Sequence, residues 1–531
     1  MDVIGLVRSH KPLCFEEYVL EIWTTNRIET YCVIQTRSSV FERRYKRLAR
    51  GHCVALDKMM TNISPLHDSE KTQKQRKRFQ SKFEMSGAKS LSSQFIEFVT
   101  QTGSPYHSVA ACKRILTSCG FQQLHERADI WSISRGGKYF ITRSHSEIFA
   151  FSVGGKFSAS ESGLVMVGAH TDSPCLRLRP KTNQKSEGFL RLGVATYGGG
   201  LWYTWFDRPL GMAGKVIVNG TEERMVHIPR PVCIIPSLAI HLQSAEERKA
   251  FDPNSENHLM PILCSASPES GDGKHANELL SLIAAEAGCA VNEITDVDIC
   301  LMDATAPCHA GAKNEFVSSP RIDNLLSTWA CMSALAETDP SESEDILIAA
   351  SFDHEEIGSN SATGADSSTT LIWVDRILES LQVTSPSTIG AIMAKSILVS
   401  ADCAHATHPN YPAKHQSEHK VGLNGGIVFK TNCNQRYTTT CTTTALARSV
   451  CIRAGVKFQD FVVRNDSPCG STIGPMLSAH LGVRAIDVGA PQWAMHSCRE
   501  TCGAKDVEAL QMFCKGVFAH FRSVDSEFKE L

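Results

Sequence analysis

The stretch DILIAASFDHEEIGS (345–359) joins an apolar, partly β-branched run to two adjacent glutamates. The run Asp345–Ala350 is typical of a buried strand, so Glu355 and Glu356 follow directly after the end of that strand. Two neighbouring carboxylates at such a point repel each other and must lose their hydration together. Cations beside them would remove that cost, and Gly358 lets the chain turn sharply behind them. We therefore expect a cation site at this end of the strand.

Length and composition narrow the class of protein. The chain has 531 residues, of which 42% are hydrophobic, which is enough for two or more packed domains. A net charge of −2 argues against nucleic-acid binding by the whole chain. No run of 18 or more uncharged apolar residues occurs, and the first residues lack the pattern of a secretory signal, so we expect neither a membrane span nor secretion.

Cysteine usage points to a compartment. The 20 cysteines are scattered and include no CxxC pair. In a long chain without a signal peptide this pattern favours free thiols in a reducing environment over a disulfide framework. We therefore expect a cytoplasmic protein.

Residues 1–87 do not share the globular sequence pattern of the rest. Near their end lies the basic run KTQKQRKRFQSKF (71–83). We predict a poorly ordered extension that closes with an exposed linker. The alternative is a nuclear or anionic-surface tag.

The remainder is predicted to form two domains. Apolar strand-like runs alternate with helical ones in residues 88–174 and 312–531, which is typical of an α/β domain with a largely parallel sheet. Between them, residues 175–311 contain short strand-like pieces broken by Gly, Pro and Asn. We interpret this part as a β-rich domain inserted into the first.

Four segments share one pattern, in which an apolar run is followed by residues of the types that bind metal ions. These segments are LVMVGAHTDS (164–173), ILIAASFDHEE (346–356), SILVSADCAHA (396–406) and VRAIDVGAPQWAMHS (483–497). The ligand types they supply are His170, Asp172, Glu355, Glu356, Asp402, His405 and His496. A further carboxylate, Asp323, precedes a helix-like run. Because sites in open α/β sheets collect at the carboxyl ends of strands, we expect these side chains in one cleft.

Taken singly, each residue has an ordinary explanation. Asp323 could cap a helix, Asp172 could shape a turn, and an adjacent Glu pair is usually solvated. The joint pattern favours a metal site, and carboxylate with imidazole suits Zn, Mn or Co. Three carboxylates and two histidines can hold two ions roughly 3.5–4 Å apart that share one water, which is a common hydrolytic device.

Longer motifs then point to a family. They are GAHTDSP, GGGLWYTWFDRPL, IPSLAIHLQ, SFDHEEIGS, SADCAHATHPNYPAKH, NQRY, RNDSPCGSTIGP and PQWAMHSCRE. From about Ser90 to the C-terminus, the chain resembles the aspartyl aminopeptidases, a family of dizinc metallopeptidases. The resemblance does not cover residues 1–85.

The resemblance implies a ligand set. His170 and Asp402 would bind one zinc, Glu356 and His496 would bind the other, and Asp323 would bridge the two. Manganese or cobalt ions would be substitutes for the two zinc ions of each subunit.

The resemblance also implies roles for other residues. Glu355 would be the general base, with Asp172 behind the metal site orienting a ligand. His241 would reach a neighbouring subunit's active site. Lys430, which follows the apolar IVF of a predicted strand, would lie at the pocket for the substrate's first side chain. His405 and His408 would lie near the substrate, although hydrogen bonding behind the site is an equal alternative.

The implied fold is a phosphorylase/hydrolase-like α/β catalytic domain interrupted by a β-rich dimerisation domain. The implied activity is removal of N-terminal Asp or Glu from peptides, inside a tetrahedral dodecamer. Two alternatives remain, namely an aminopeptidase of the same fold that prefers apolar N-terminal residues, and a catalytically inactive shell or cargo protein.

Overall fold

The computed structural model describes residues 89–529 and the backbone of three strands in the N-terminal extension. Those strands form an antiparallel sheet and span Val3–Arg8, Glu16–Thr24 and Arg27–Gln35. The basic run 71–83 lies outside the described residues. The expectation for residues 1–87 therefore stays a prediction.

A nine-stranded sheet forms the centre of the larger unit. Across the sheet its strands are Phe458–Val462, Ile427–Thr431, Arg484–Gly489, Ile397–Ala401, Leu164–His170, Ile346–Phe352, Glu147–Val153, Lys138–Arg143 and Gln122–Gln123. The four consecutive strands from Arg484–Gly489 to Ile346–Phe352 are mutually parallel. The carboxyl ends of these four strands consequently share one edge of the sheet.

Helices cover both faces of this sheet, which explains why its central strands are apolar on both sides. Along the strand Leu164–His170, alternate residues enter two separate cores: Val165 and Val167 lie in one, Leu164 and Met166 in the other. The first core is closed by the helices Leu91–Thr100, Pro105–Ser118, Ile322–Glu337, Cys441–Ala454 and Ala504–Glu527. The second is closed by the helices Thr369–Ser380, Pro386–Ala394 and Ile473–Leu481.

The region predicted as an inserted β-rich domain contains a closed six-stranded barrel. Around the barrel the strands are Pro209–Val218, Glu222–Ile234, Ile262–Ser265, Phe189–Tyr197, Cys175–Ser186 and Ile294–Asp303. The helices Ala245–Lys249 and Asn277–Ala287 belong to the same region, and a hydrophobic core of its own fills the barrel. The predicted fold class, an α/β catalytic domain with a β-rich domain, is confirmed, while its boundaries stay a prediction.

A second sheet of five short strands lies beside the metal-ligand loops. Its strands, in order, are Cys308–Ala310, Phe316–Ser319, Glu500–Gly503, Pro491–Trp493 and Ala404–His405. Two of them, Pro491–Trp493 and Glu500–Gly503, are antiparallel neighbours, and the loop between them carries His496. This sheet therefore fixes the position of a predicted ligand, which the central sheet alone would leave on a long loop.

Two further findings concern the cysteines and the helices. Every cysteine within residues 89–529 is a free thiol. Within the same residues, no helix combines the length and apolar character that crossing a lipid bilayer requires.

Candidate metal centre and active site

The strand ends deliver the predicted ligands to one place. His170 is the last residue of its strand and pairs in register with Phe352, so Glu355 and Glu356 emerge at the same level of the sheet. Asp402 comes directly after the strand Ile397–Ala401. His170, Asp402 and Glu356 thus come from three adjacent parallel strands.

Asp323 lies between the two histidines. Its Oδ1 is 3.5 Å from Nε2 of His170, and its Oδ2 is 3.5 Å from Nε2 of His496. Although it falls in the first turn of the helix Ile322–Glu337, its backbone angles (φ −79°, ψ 108°) are not helical. Each carboxylate oxygen therefore faces a different imidazole, as a bridging ligand requires.

Three groups of ligand atoms lie close enough to hold a metal ion, with all atoms of a group within 4.8 Å of one another. They are His170, Asp323 and Asp402; Asp323, Glu356 and His496; and His170, Glu355 and Glu356. The first two are the sets that the family resemblance implies, with Asp323 common to both. We call them the first and the second ligand group.

Both histidines present the nitrogen that a metal would need. Nδ1 of His170 lies 3.1 Å from the carbonyl oxygen of Asp172, and Nδ1 of His496 lies 3.0 Å from that of Gly199. A carbonyl can only accept, so each Nδ1 carries the proton and each Nε2 is left as a free ligand atom.

The electrostatic properties of the two ligand groups favour the binding of cations. Oδ1 of Asp323 and Oε1 of Glu356 are buried without a hydrogen-bond partner. Burial, together with the neighbouring carboxylates, raises the pKa of Glu355 to about 8 and that of Glu356 well above its ordinary value. Burial alone would lower the pKa of His496, but Asp323 and Glu356 raise it to about 10. Divalent cations would replace these protons and relieve the repulsion.

The paired glutamates differ in access. The side chain of Glu356 is 4% exposed and lies 3.3 Å from Nε2 of His496. The side chain of Glu355 is 12% exposed and lies 3.8 Å from Nε2 of His170. Glu356 is thus enclosed among ligand atoms, whereas Glu355 keeps contact with the cleft.

Asp172 lies directly behind the two glutamates and is fully buried. Its Oδ1 accepts the backbone N–H of Glu355 at 3.2 Å, and its Oδ2 accepts that of Glu356 at 3.1 Å and the hydroxyl of Tyr197 at 2.6 Å. Burial alone would raise its pKa, but the adjacent imidazole of His170 and the hydrogen bond from Tyr197 lower it. One ionised carboxylate therefore fixes the backbone of both glutamates.

Lys430 is buried on the strand Ile427–Thr431 and is 2% exposed. Its Nζ lies 3.6 Å from Oδ1 of Asp402, donates to the carbonyl of Cys403 at 3.2 Å and sits 4.9 Å from the ring centre of Tyr437. The ammonium thus adjoins the first ligand group through Asp402.

The three remaining predicted residues lie outside the ligand groups. His405 is on the strand Ala404–His405 with its ring 5.9 Å from that of Phe461. His408 packs between Tyr411 and Trp493, at 4.9 and 6.3 Å between ring centres. His241 lies on the exposed 3-10 turn Ile240–Leu242 and makes no hydrogen bond or ion pair within the described residues.

Comparisons with known proteins agree with this geometry. The family described as aminopeptidase I zinc metalloprotease (M18) matches residues 98–518. The aspartyl aminopeptidase of Caenorhabditis elegans is 44% identical over 431 residues, which cover 77% of this chain and 90% of the relative. Aspartyl aminopeptidase 4 of Saccharomyces cerevisiae is 41% identical over 474 residues, covering 82% of this chain and 95% of the relative.

The chain belongs to the M18 family. Two solved structures support this assignment. The cryo-EM structure of the Ape4 and Nbr1 complex gives a TM-score of 0.79 at 40% identity and covers 83% of this chain and 88% of that chain. The structure of the S. cerevisiae mApe1 dodecamer gives a TM-score of 0.73 at 31% identity and covers 83% of this chain and 99% of that chain. The predicted resemblance, the enzyme class and the peptidase fold are confirmed.

Zinc fits the donor set that this M18 chain provides. The two ligand groups offer only imidazole nitrogen and carboxylate oxygen, which are ligands of catalytic zinc sites, and the family is one of zinc metalloproteases. Bound ions would supply a partner for the two buried oxygens that lack a hydrogen bond, Oδ1 of Asp323 and Oε1 of Glu356. The predicted cofactor class is confirmed.

Two residues beside the M18 metal centre were not predicted. Tyr197 ends a barrel strand and donates to Asp172, and Glu500 begins the strand Glu500–Gly503 and accepts from the backbone of His496. Neither follows an apolar strand of the central sheet, so the pattern that revealed the ligands could not reveal them. The sequence signal for Glu500 was its place in the motif PQWAMHSCRE, four residues after His496.

Proposed function

We propose that this protein is an aspartyl aminopeptidase that uses two zinc ions to release N-terminal Asp and Glu from peptides. The observation that carries the proposal is the position of Asp323 between His170 and His496, with Glu355 beside the pair. Relatives about 40% identical over most of the chain bear that enzyme's name.

The ligands divide into two pairs with one shared member. His170 and Asp402 would hold one ion, Glu356 and His496 the other, and Asp323 both. Bound there, the ions would supply Lewis acidity for the scissile carbonyl and for the attacking water.

Glu355 is the general base. Its carboxylate takes the proton of the attacking water and delivers it to the leaving amine. The hydrogen bond from its backbone N–H to Asp172 holds the Glu355 backbone beside the two ligand groups. The surrounding carboxylates would recognise the free α-ammonium group of a peptide, which restricts cleavage to the first bond.

Lys430 selects the first side chain of the substrate. In this structure Asp402 balances the charge of its ammonium. If Asp402 held an ion, the lysine would be able to attract a second carboxylate, that of an N-terminal Asp or Glu. An apolar side chain would leave the buried ammonium poorly paired, so the lysine also disfavours Leu and Ala.

The active assembly is a homo-oligomer, and we propose a tetrahedral dodecamer in which His241 completes a neighbouring subunit's site. A solved relative is described as a dodecamer. His241 is flanked by Leu238, Ile240 and Leu242, whose side chains are 49, 61 and 71% exposed. Such a run of exposed apolar side chains on the barrel region marks an interaction surface. The free thiols suit the reducing environment of the cytoplasm, where we place the enzyme.

The test is a substrate series. kcat/KM would be measured for the zinc-loaded full-length protein on peptides that differ only in their first residue, Asp, Glu, Leu or Ala. We expect Asp and Glu to be cleaved at least about 10-fold faster than Leu and Ala, since a charged hydrogen bond contributes about 1.5–3 kcal/mol.

Glu355→Gln, purified in parallel, controls for contaminating peptidases. A preference for Leu would indicate the alternative aminopeptidase with apolar specificity. Equal, negligible rates for wild type and Glu355→Gln would indicate an inactive shell protein.

A further inference from the structure

A buried carboxylate outside both ligand groups connects two of their members. Glu500 is 2% exposed at the start of the strand Glu500–Gly503, where it pairs with Ser319 of the neighbouring strand. Its Oε1 accepts the backbone N–H of His496 at 2.8 Å, and its Oε2 accepts that of Asp323 at 3.0 Å.

The two residues it connects have a particular place in the cluster. Asp323 and His496 both belong to the second ligand group, and their side chains face each other at 3.5 Å. They come from distant parts of the chain, one at the start of a helix and the other on a loop of the five-stranded sheet. Among the described residues, Glu500 makes no such contact with His170 or Asp402.

We propose that Glu500 is a positioning residue that sets the separation of Asp323 and His496 through their backbones and so maintains the metal affinity of the second ligand group. The inference deepens the proposed function, because it rests on two metal ions held by the two ligand groups. It assigns no contact between Glu500 and a metal or substrate.

The chemistry of the side chain explains why a carboxylate is needed. Two buried N–H donors converge on it, and only a carboxylate offers an acceptor oxygen to each at this length. A glutamine would satisfy one donor with its carbonyl and turn its own N–H₂ toward the other, which leaves a buried N–H unpaired. An aspartate keeps both acceptor oxygens but is one methylene shorter, so it cannot reach both donors without moving one ligand.

The experiment measures metal affinity rather than activity. Full-length wild type and Glu500→Gln would be stripped of metal and titrated with zinc against chelators of graded strength. We expect one of the two zinc affinities to fall about 10- to 100-fold, the usual effect of losing a group that orients ligands. The other affinity should change less, because only Asp323 is shared with the first ligand group.

A matched control comes from a second carboxylate of the same kind. Asp506 is fully buried, and its oxygens accept the backbone N–H groups of Asn424 and Gly426 at 2.5 and 2.9 Å, away from both ligand groups. Asp506→Asn should lower the melting temperature while both zinc affinities stay at the wild-type values. This variant separates loss of a buried carboxylate from loss of ligand positioning.

If Glu500→Gln does not fold, the zinc titration would be carried out on Glu500→Asp instead. We expect the aspartate variant to lose more zinc affinity at the second ligand group than at the first. Two unchanged affinities in the folded variant, or an equal fall of both, would overturn the proposal. Failure of wild type to bind two zinc ions would instead refute the proposed function, so the two failures are distinguishable.

Discussion

Oδ2 of Asp172 accepts the backbone N–H of Glu356 at 3.1 Å and thereby ties the loops after two neighbouring parallel strands to each other. The other oxygen of Asp172 accepts the N–H of Glu355 at 3.2 Å. The proposed general base and the proposed metal ligand therefore share one support.

Replacing this support should damage both roles. In Asp172→Asn the amide can accept from one of the two N–H groups but not from both, so the loop shifts relative to His170. We expect kcat or zinc affinity to fall about 10- to 100-fold, measured by steady-state kinetics and metal analysis. Tyr197→Phe, which removes one donor and leaves both N–H bonds, should have a smaller effect. An equal fall of kcat and zinc affinity in the two variants would contradict the supporting role of the two backbone hydrogen bonds.

Mutation should distinguish the roles of the two adjacent glutamates. Glu355→Gln should keep both zinc ions and lower kcat by about 10² to 10⁴, the usual contribution of a positioned acid–base group. Glu356→Gln should lose the zinc of the second ligand group, because its enclosed carboxylate lies 3.3 Å from His496. Metal content and kcat, measured on the same preparations, check both statements. Loss of both zinc ions from Glu355→Gln would contradict the division of roles.

Metal removal should destabilise the fold locally. Without cations, the carboxylates of Asp323, Glu355, Glu356 and Asp402 face one another in a buried cluster. A ligand that binds only the folded state adds about 4 kcal/mol of stability at 1,000 times its dissociation constant, so chelation should lower the melting temperature and zinc should restore it. Asp323→Asn serves as the matched variant and should respond less to zinc. A melting temperature that is insensitive to chelator would argue against metal held by this cluster.

Substrate selection should depend on Lys430. Lys430→Met fills a similar volume without the charge, and the Asp-over-Leu ratio of kcat/KM should fall roughly 10- to 150-fold, the equivalent of one charged hydrogen bond. Lys430→Arg keeps the charge and is the control. An unchanged ratio would rule out Lys430 as the selector. If zinc is lost at the same time, the role of the lysine is to orient Asp402, which lies 3.6 Å away.

Much of the site could be predicted because it depends on local sequence pattern. His170, Glu355, Glu356 and Asp402 each lie at or just past the end of an apolar strand, and parallel strands bring such positions to one edge. His496 was also predicted from this pattern, because a short loop carries it after an apolar run, but the five-stranded sheet that places the loop was not predicted, since its strands have only two to four residues.

Other features depend on contacts between distant segments. The inserted region was recognised as β-rich, but closure of the barrel is a matter of strand register that no local pattern encodes. The bond from Tyr197 to Asp172 crosses from the barrel to the catalytic sheet, and the pairing of Lys430 with Asp402 joins two strands that are not neighbours in the sheet. Asp323 resembled a helix cap in sequence, whereas its non-helical backbone turns its carboxylate toward two histidines.

The central claim is that two ions held by the two ligand groups make this site active, and zinc titration of the stripped protein tests it most directly. Activity on an Asp-terminated peptide would be followed as zinc is added in known amounts to the metal-free full-length chain. The account predicts that activity rises to its maximum at two zinc ions per chain, and that Asp323→Asn does not reach that maximum. Full activity at one zinc ion per chain, or activity independent of zinc, would contradict it.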